Sequence, residues 1–357
     1  MNVGAAATGR AAARPAWLDA LRHRPLLLAL VGVGLLLVCL VAGVALGNVT
    51  IEPADTVAIL FHRLFGWPDA VTWPQSAETI ILELRLPRVL TAMAVGAALS
   101  VAGVTYQGLL RNPLATPYTL GVSAGASLGA MVAITFGSAW AIGGVATASL
   151  AGAFLAVAIV YALAAARHRG LSTTVMLLAG VTLNAFFSAL ILFVQYVSDF
   201  AQTYRALRWL MGDLDVASYE PILYALPLIG VAFAGFAWLA RPLNLMSAGM
   251  DAAATRGVEV ERVQRGAFFA ASLATGAAVS VGGPIGFVGI IVPHLVRLLV
   301  GADHRLVLPA STFFGAAFLV GCDALARTVI APIELPVGII TAVIGGPFFL
   351  WLLITRR

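Results

Sequence analysis

From Val89 to Leu110 the chain runs for 22 residues without a charged side chain. A helix needs about 20 apolar residues to cross the hydrocarbon core of a bilayer, so this run is long enough to span one. Two arginines bracketing a proline open it, Arg85-Leu86-Pro87-Arg88. A polar segment closes it, Arg111-Asn112-Pro113-Leu114-Ala115-Thr116-Pro117. Prolines at 113 and 117 do not fit inside one continuing helix, so the segment reads as a reversal of direction before a second apolar stretch. Small residues recur at helical spacing on both sides of the turn: Gly96, Ala97, Ser100 and Gly103, then Gly121, Ala124, Gly125, Ser127 and Gly129. Side chains this small let membrane helices approach closely.

The remaining chain follows the same rule. Only 10% of the 357 residues are charged and 61% are hydrophobic, where a soluble domain carries about a quarter charged residues. All 21 basic residues are arginine. Without a lysine, a phosphate-binding loop of the GxxxxGK[ST] type cannot exist, so any ATP that drives this protein is hydrolysed by another chain. The surplus of arginine has a topological explanation, and no nucleic acid partner is expected. Cys39 and Cys322 lie in apolar runs, where cysteine behaves as a small buried hydrophobe rather than a disulfide or metal pair. No cofactor is expected.

Ten crossings are expected, at about 26–47, 88–110, 118–137, 142–166, 173–197, 221–240, 266–282, 284–300, 307–327 and 336–354. The apolar run Pro25–Leu46 is too long for the core of a cleaved signal peptide and reads as a retained span. Residues 1–25 form a cytosolic tail and 26–357 a single membrane domain. With ten spans both termini are cytosolic, and arginines divide fifteen to six in favour of the cytosolic side. The outer loop from Asn48 to Leu84 carries a surface helix over Glu52–Leu64, and Trp67 and Trp73 fit the headgroup level. GAALSVAG at 96–103 returns as GAAVSVGG at 276–283, on two spans of opposite direction, the arrangement of an inverted repeat.

No acidic residue occupies the middle of a span; Asp323 and Glu334 come nearest, at an outer end. An ion-coupled carrier usually needs an intramembrane carboxylate or an unwound helix, and an enzyme needs a constellation such as HExxH or GxSxG. Neither pattern stands out, so a secondary transporter or an intramembrane enzyme is the more distant reading. His294 has no second ligand at metal spacing and reads as a structural histidine. Gly180, Thr182, Asn184, Ser188 and Gln195, on the fifth span, are candidates for lining a pathway. The longest internal loop, Arg241–Arg265, holds a short helix over Met250–Thr255, a stop at Gly257, and a second helix over Val258–Arg265.

RLPRVL, GAALSVAG, YQGLLRNPLATP, TLGVSAGA, RWLMG, GPIGFVGIIVPHLVR and ELPVGIITAVIGGPFFLWLL, in this order over residues 50–355, resemble the FecCD-type permeases of ABC importers. The resemblance implies an all-α integral membrane protein with the type II importer permease fold, in the bacterial inner membrane. It implies uptake of an iron-chelate, siderophore or haem, with cobalamin as the alternative. It implies partners: a second copy of the chain, two ATPase subunits, a soluble substrate-binding protein and the surrounding lipid. Residue by residue, it implies docking of the binding protein at Arg85, Arg88 and Arg327, and a cytosolic gate at Asn112, Leu114, Ser172 and Thr173. It also implies ATPase coupling through Met250, Asp251, Arg256, Gly257 and Val258. The family more often has an apolar residue where Arg256 stands, and Ser or Gly where Asp213 follows RWLMG.

Overall fold

Pro25 occupies the first turn of the first helix, where its missing N–H is no loss. From there the computed structural model is helical, with no strand among the described residues, which are 24–68, 71–137, 144–166, 171–215 and 218–355. The N-terminal tail and the two last arginines lie outside them. Ten helices fall on the ten stretches expected to cross: α1 (Pro25–Ala45), α4 (Leu86–Leu110), α5 (Val122–Phe136), α6 (Gly144–Ala165), α7 (Thr173–Val197), α9 (Glu220–Ser247), α11 (Val260–Gly282), α12 (Val288–Val300), α13 (His304–Thr328) and α14 (Val337–Thr355). Four lie between them: α2 (Pro53–Phe65) and α3 (Gln75–Thr79), then α8 (Phe200–Leu210) and α10 (Met250–Ala254). The apolar stretches of α1, α6, α7, α9 and α13, and the continuous run Gln75–Leu110, are each long enough to cross a membrane. We name the two ends of the bundle outer and inner after the expected topology.

α4 is the axis. Of the apolar window in Gln75–Leu110, 83% is buried inside the chain, against 22% for α1 and for α7. Its glycines set how closely neighbours come. A Cβ on Gly96 would stand 2.2 Å from the carbonyl oxygen of Gly315 on α13, and one on Gly103 would stand 2.1 Å from that of Gly289 on α12. Only glycine permits backbones to touch there. The repeated motifs meet at the same axis: α4 packs on α11, and Tyr106 Oη lies 2.6 Å from Ser272 Oγ in the buried seam between them.

The structure corrects several boundaries. The third and eighth spans are short, because Pro117–Leu120 winds as a 3₁₀ turn before α5 and residues 283–287 remain non-helical before α12. α9 runs on to Ser247 through Pro242, and α11 begins at Val260. The second loop helix over Val258–Arg265 is therefore the first two turns of α11 rather than a separate element. Trp73 is buried, donating to Glu78 and meeting the His62 ring edge-on, so it is no interfacial anchor; Trp67 is exposed. α8 was not expected; Asp199 caps it, with Gln202 returning the bond.

Candidate functional site

Three regions of the bundle hold the residues singled out in the sequence. At the outer end, α4 enters through a π-helical turn over Ile80–Arg85, which faces Arg85 inward. Its guanidinium donates to the carbonyls of Val44 and Ala45 at 3.0 and 2.8 Å, and to Val49. Arg327, at the end of α13, donates to Gly43 and Leu46, both at 2.7 Å. Together the two arginines satisfy the last carbonyls of α1, which carry the negative end of its dipole. Arg327 Nε and Arg88 Nε each donate at 2.9 Å to one oxygen of Asp323, which is completely buried. Arg88 reaches Glu334 at 2.6 Å with Nη1, and Asn48 donates to the other oxygen of Glu334.

This network gives Arg85, Arg88 and Arg327, expected to dock the binding protein, partners within the chain. All three are buried, with 3–8% of their surface exposed, and their donors are directed into the chain. The physical reason is that a guanidinium at an apolar helix end is cheapest when it finds carbonyls and carboxylates within the protein. The charges left on the outer surface are mainly acidic. Among the described residues of that end, ten carboxylates face six arginines, and half of those arginines are buried. Glu52, Glu83, Asp215 and Glu220 are exposed. Arg208 is also exposed but already pairs with Asp213 at 3.0 Å and Asp215 at 3.4 Å, which gives Asp213 an intramolecular partner.

At the inner end, Asn112 and Leu114 lie on the reversal after α4. Arg111 makes the turn in the left-handed region (φ 48°), and Asn112 Oδ1 accepts from the Leu114 amide at 2.9 Å. Leu114 stays 43% exposed. Ser172 caps α7 by accepting from Val175, with Thr173 as the first helical residue, partly exposed. Asn184 donates to the carbonyl of Tyr118, and Gly180 packs against the backbone of Thr119 and Leu120. Gly180 is therefore buried in helix packing rather than lining a pathway, and Asn184 ties α7 to the turn. Thr182 and Ser188 remain on the exposed side of α7, and Gln195 is half-buried.

The third region is the loop between α9 and α11. Gly249 opens α10 and Gly257, at φ 80°, ends the turn after it. Ala253 is buried and accepts from the amide of Val258, while Met250 touches the buried Gln264. Asp251, Arg256 and Gly257 are exposed and Val258 is partly so. The loop is thus anchored by apolar and backbone contacts and presents its charges outward. No group of three or more His, Cys, Asp or Glu suited to a metal occurs among the described residues. His294 meets the ring of Phe348.

A family model for the FecCD transport family matches residues 35–355. The cobalamin import system permease protein BtuC of Halobacterium salinarum is 43% identical, over 85% of this chain and 80% of its own. The hemin transport system permease protein HmuU of Yersinia pestis is 40% identical, over 78% and 84%. A solved structure of a metal-chelate type ABC transporter in an inward-facing conformation superposes with a TM-score of 0.80 at 30% identity, covering 92% of this chain and 99% of its own.

Proposed function

The chain belongs to the FecCD transport family, and on that premise we propose that it is the membrane permease of an importer for a metal chelate, working as a pair of identical subunits. The observation that carries the pairing is the polar content of an unpartnered helix face. On α7, Thr182 and Ser188 stand exposed beside Leu178, Val181, Leu192 and Tyr196. α14 is similarly open, with Val343 and Leu350 more than 60% exposed. Polar residues on a membrane helix face a bundle interior or a water-filled path rather than lipid. A second copy laid against these helices would enclose such a path with small, uncharged walls.

Energy comes from a separate ATPase resting on the α10 loop, since this chain has no lysine for a phosphate loop. The reversal at Asn112–Leu114 and the cap at Ser172–Thr173 close the inner mouth. A soluble binding protein delivers the chelate to the outer end, and its docking falls to the exposed acids instead of the buried arginines. The protein sits in the cytoplasmic membrane with both termini inside. The test is uptake into vesicles holding the full complex, comparing a labelled ferric siderophore, haem and cobalamin. ATP-dependent uptake of an iron-chelate supports the reading. Uptake of cobalamin alone reassigns the cargo, and uptake driven by an ion gradient without the ATPase overturns the importer.

A further inference from the structure

The outer loop between α1 and α4 carries α2, a helix of 13 residues. Along it Val57, Phe61 and Leu64 recur at the i, i+4, i+7 spacing that aligns side chains on one helix face. Phe65 joins them, its ring 5.5 Å from that of Phe61, and Trp67 follows just past the helix end. Phe61, Leu64, Phe65 and Trp67 are 47–73% exposed. The helix packs on the chain through a different side. Thr56 and Ile59 are its buried residues, and Ile59 belongs to the main apolar core. α2 is thus held on one side and open on the other, and the open side is apolar. A surface helix in water carries the reverse pattern.

Position, polarity and packing together say what covers this face. α2 packs chiefly on α1 and on the π-helical turn before α4. Residues 46–52 join it to α1, and Leu46 and Val49 in that link are exposed as well. The apolar face therefore adjoins a helix long enough to cross the membrane. Arg63, on another side of α2, lines a cavity of about 380 Å³ with Glu78 and Glu83. The helix turns its charged flank toward the outer acids, so a protein drawn to those acids meets that flank and not the apolar face. The proposed pairing of two copies runs through α7 and α14, which are not the elements that hold α2.

We propose that α2 lies in the plane of the membrane at the outer leaflet, with Phe61, Leu64, Phe65 and Trp67 set among lipid chains beneath the headgroups. Helices of this kind bury their apolar face about 5–10 Å into the boundary between headgroups and chains. Aromatic rings such as those at its end collect at that depth. The partner is the lipid surface, and apolar burial rather than headgroup charge holds the helix there. So anchored, α2 fixes the height of the π-helical turn that it contacts, and with it the entry of α4.

Spin labels on the full complex in nanodiscs, without the binding protein, test this. In a Cys39→Ala, Cys322→Ala background, single labels are attached at Phe61→Cys, Leu64→Cys, Leu30→Cys and Glu220→Cys. Leu30, exposed on α1, is the lipid reference, and the exposed charge Glu220 is the water reference. Oxygen concentrates in lipid and a neutral nickel chelate in water, so the ratio of their collision rates with the label reports depth. At Phe61→Cys and Leu64→Cys this ratio should exceed that at Glu220→Cys several-fold and fall short of that at Leu30→Cys. Values equal to those at Glu220→Cys place α2 in water and would overturn the proposal. Low collision rates with both reagents mean that protein covers the face, and would overturn it too. Neither readout depends on transport, so the result stands apart from the importer reading. Should the cysteine-free background not fold, benzoylphenylalanine at Phe61 in the otherwise native chain supplies a second measurement. Phospholipid adducts on irradiation support the proposal; adducts to protein alone, or none, overturn it.

Discussion

Asp323 and Arg88 are 235 residues apart in the chain and 2.9 Å apart in the fold, and Arg327 closes on the other oxygen of the same carboxylate. This buried trio joins α4 and α13 at the end where they also hold α1. Replacing Asp323 by asparagine would strip Arg327 of its carboxylate and leave Arg88 with Glu334 alone. Removing one member of a buried pair costs about 3–5 kcal/mol. Asp323→Asn should therefore lower the unfolding temperature in detergent sharply and reduce the amount of folded protein in the membrane. A variant of unchanged melting temperature would mean that the trio adds nothing to stability.

The contacts of α4 are the next point of failure. Gly103→Ala places a methyl group inside the Gly289 carbonyl, and Gly96→Ala does the same at Gly315. Neither backbone can give way cheaply, so both variants should lose folded yield. Gly321→Ala and Gly346→Ala meet nothing within 4 Å and serve as controls. Fluorescence-detected gel filtration distinguishes the two groups; equal monodisperse yields for all four would refute the close-packing argument.

Much of this was legible before any coordinates. Length and apolarity located all ten helices, because a bilayer leaves the backbone no alternative to internal hydrogen bonds. What the sequence did not reveal was direction. Arg85 and Arg88 are three residues apart, nearly one helical turn, yet one reaches the end of α1 and the other Asp323. A π-helical turn and 235 residues of separation decide that, and neither leaves a local signal. Asp323 did leave one: a carboxylate four residues before Arg327 in an otherwise apolar helix, the spacing of a helical ion pair. Gly180 misled for a similar reason. A small residue on a candidate pathway helix looks the same in sequence whether it borders open space or a neighbouring backbone.

The inner hairpins make a prediction about the pair of subunits. Leu114 is exposed at the tip of a rigid turn, its amide held by Asn112. If two copies close an inner mouth there, cysteines at Leu114 should form a disulfide across the axis in at least one nucleotide state, since that bond needs Cα atoms within about 7 Å. Non-reducing electrophoresis of the complex, with and without ATP, reads the result. No cross-link from Leu114→Cys or Thr173→Cys in any state removes the gate from these hairpins.

Docking at the outer end gives the last prediction. Glu83 and Glu220 are exposed and flank the hydrogen bond from Tyr219 to the Leu82 carbonyl, so they lie on one surface. Neither is in a salt bridge among the described residues, whereas Arg85, Arg88 and Arg327 are bonded within the chain. If the binding protein docks on this rim as proposed, it meets these acids with arginine or lysine. An exposed pair is worth about 0.2–1 kcal/mol, and reversing one member replaces attraction by a repulsion of similar size. The double variant Glu83→Lys, Glu220→Lys should therefore weaken binding-protein affinity by about 1–3 kcal/mol, roughly 5- to 150-fold. Most of that loss should appear in the association rate and shrink as salt is raised. Arg88→Ala, by contrast, should lower the amount of folded complex while leaving the affinity of what survives unchanged. Surface plasmon resonance on complex in nanodiscs measures both quantities. Weaker affinity in Arg88→Ala with none lost in the glutamate variant would return docking to the arginines.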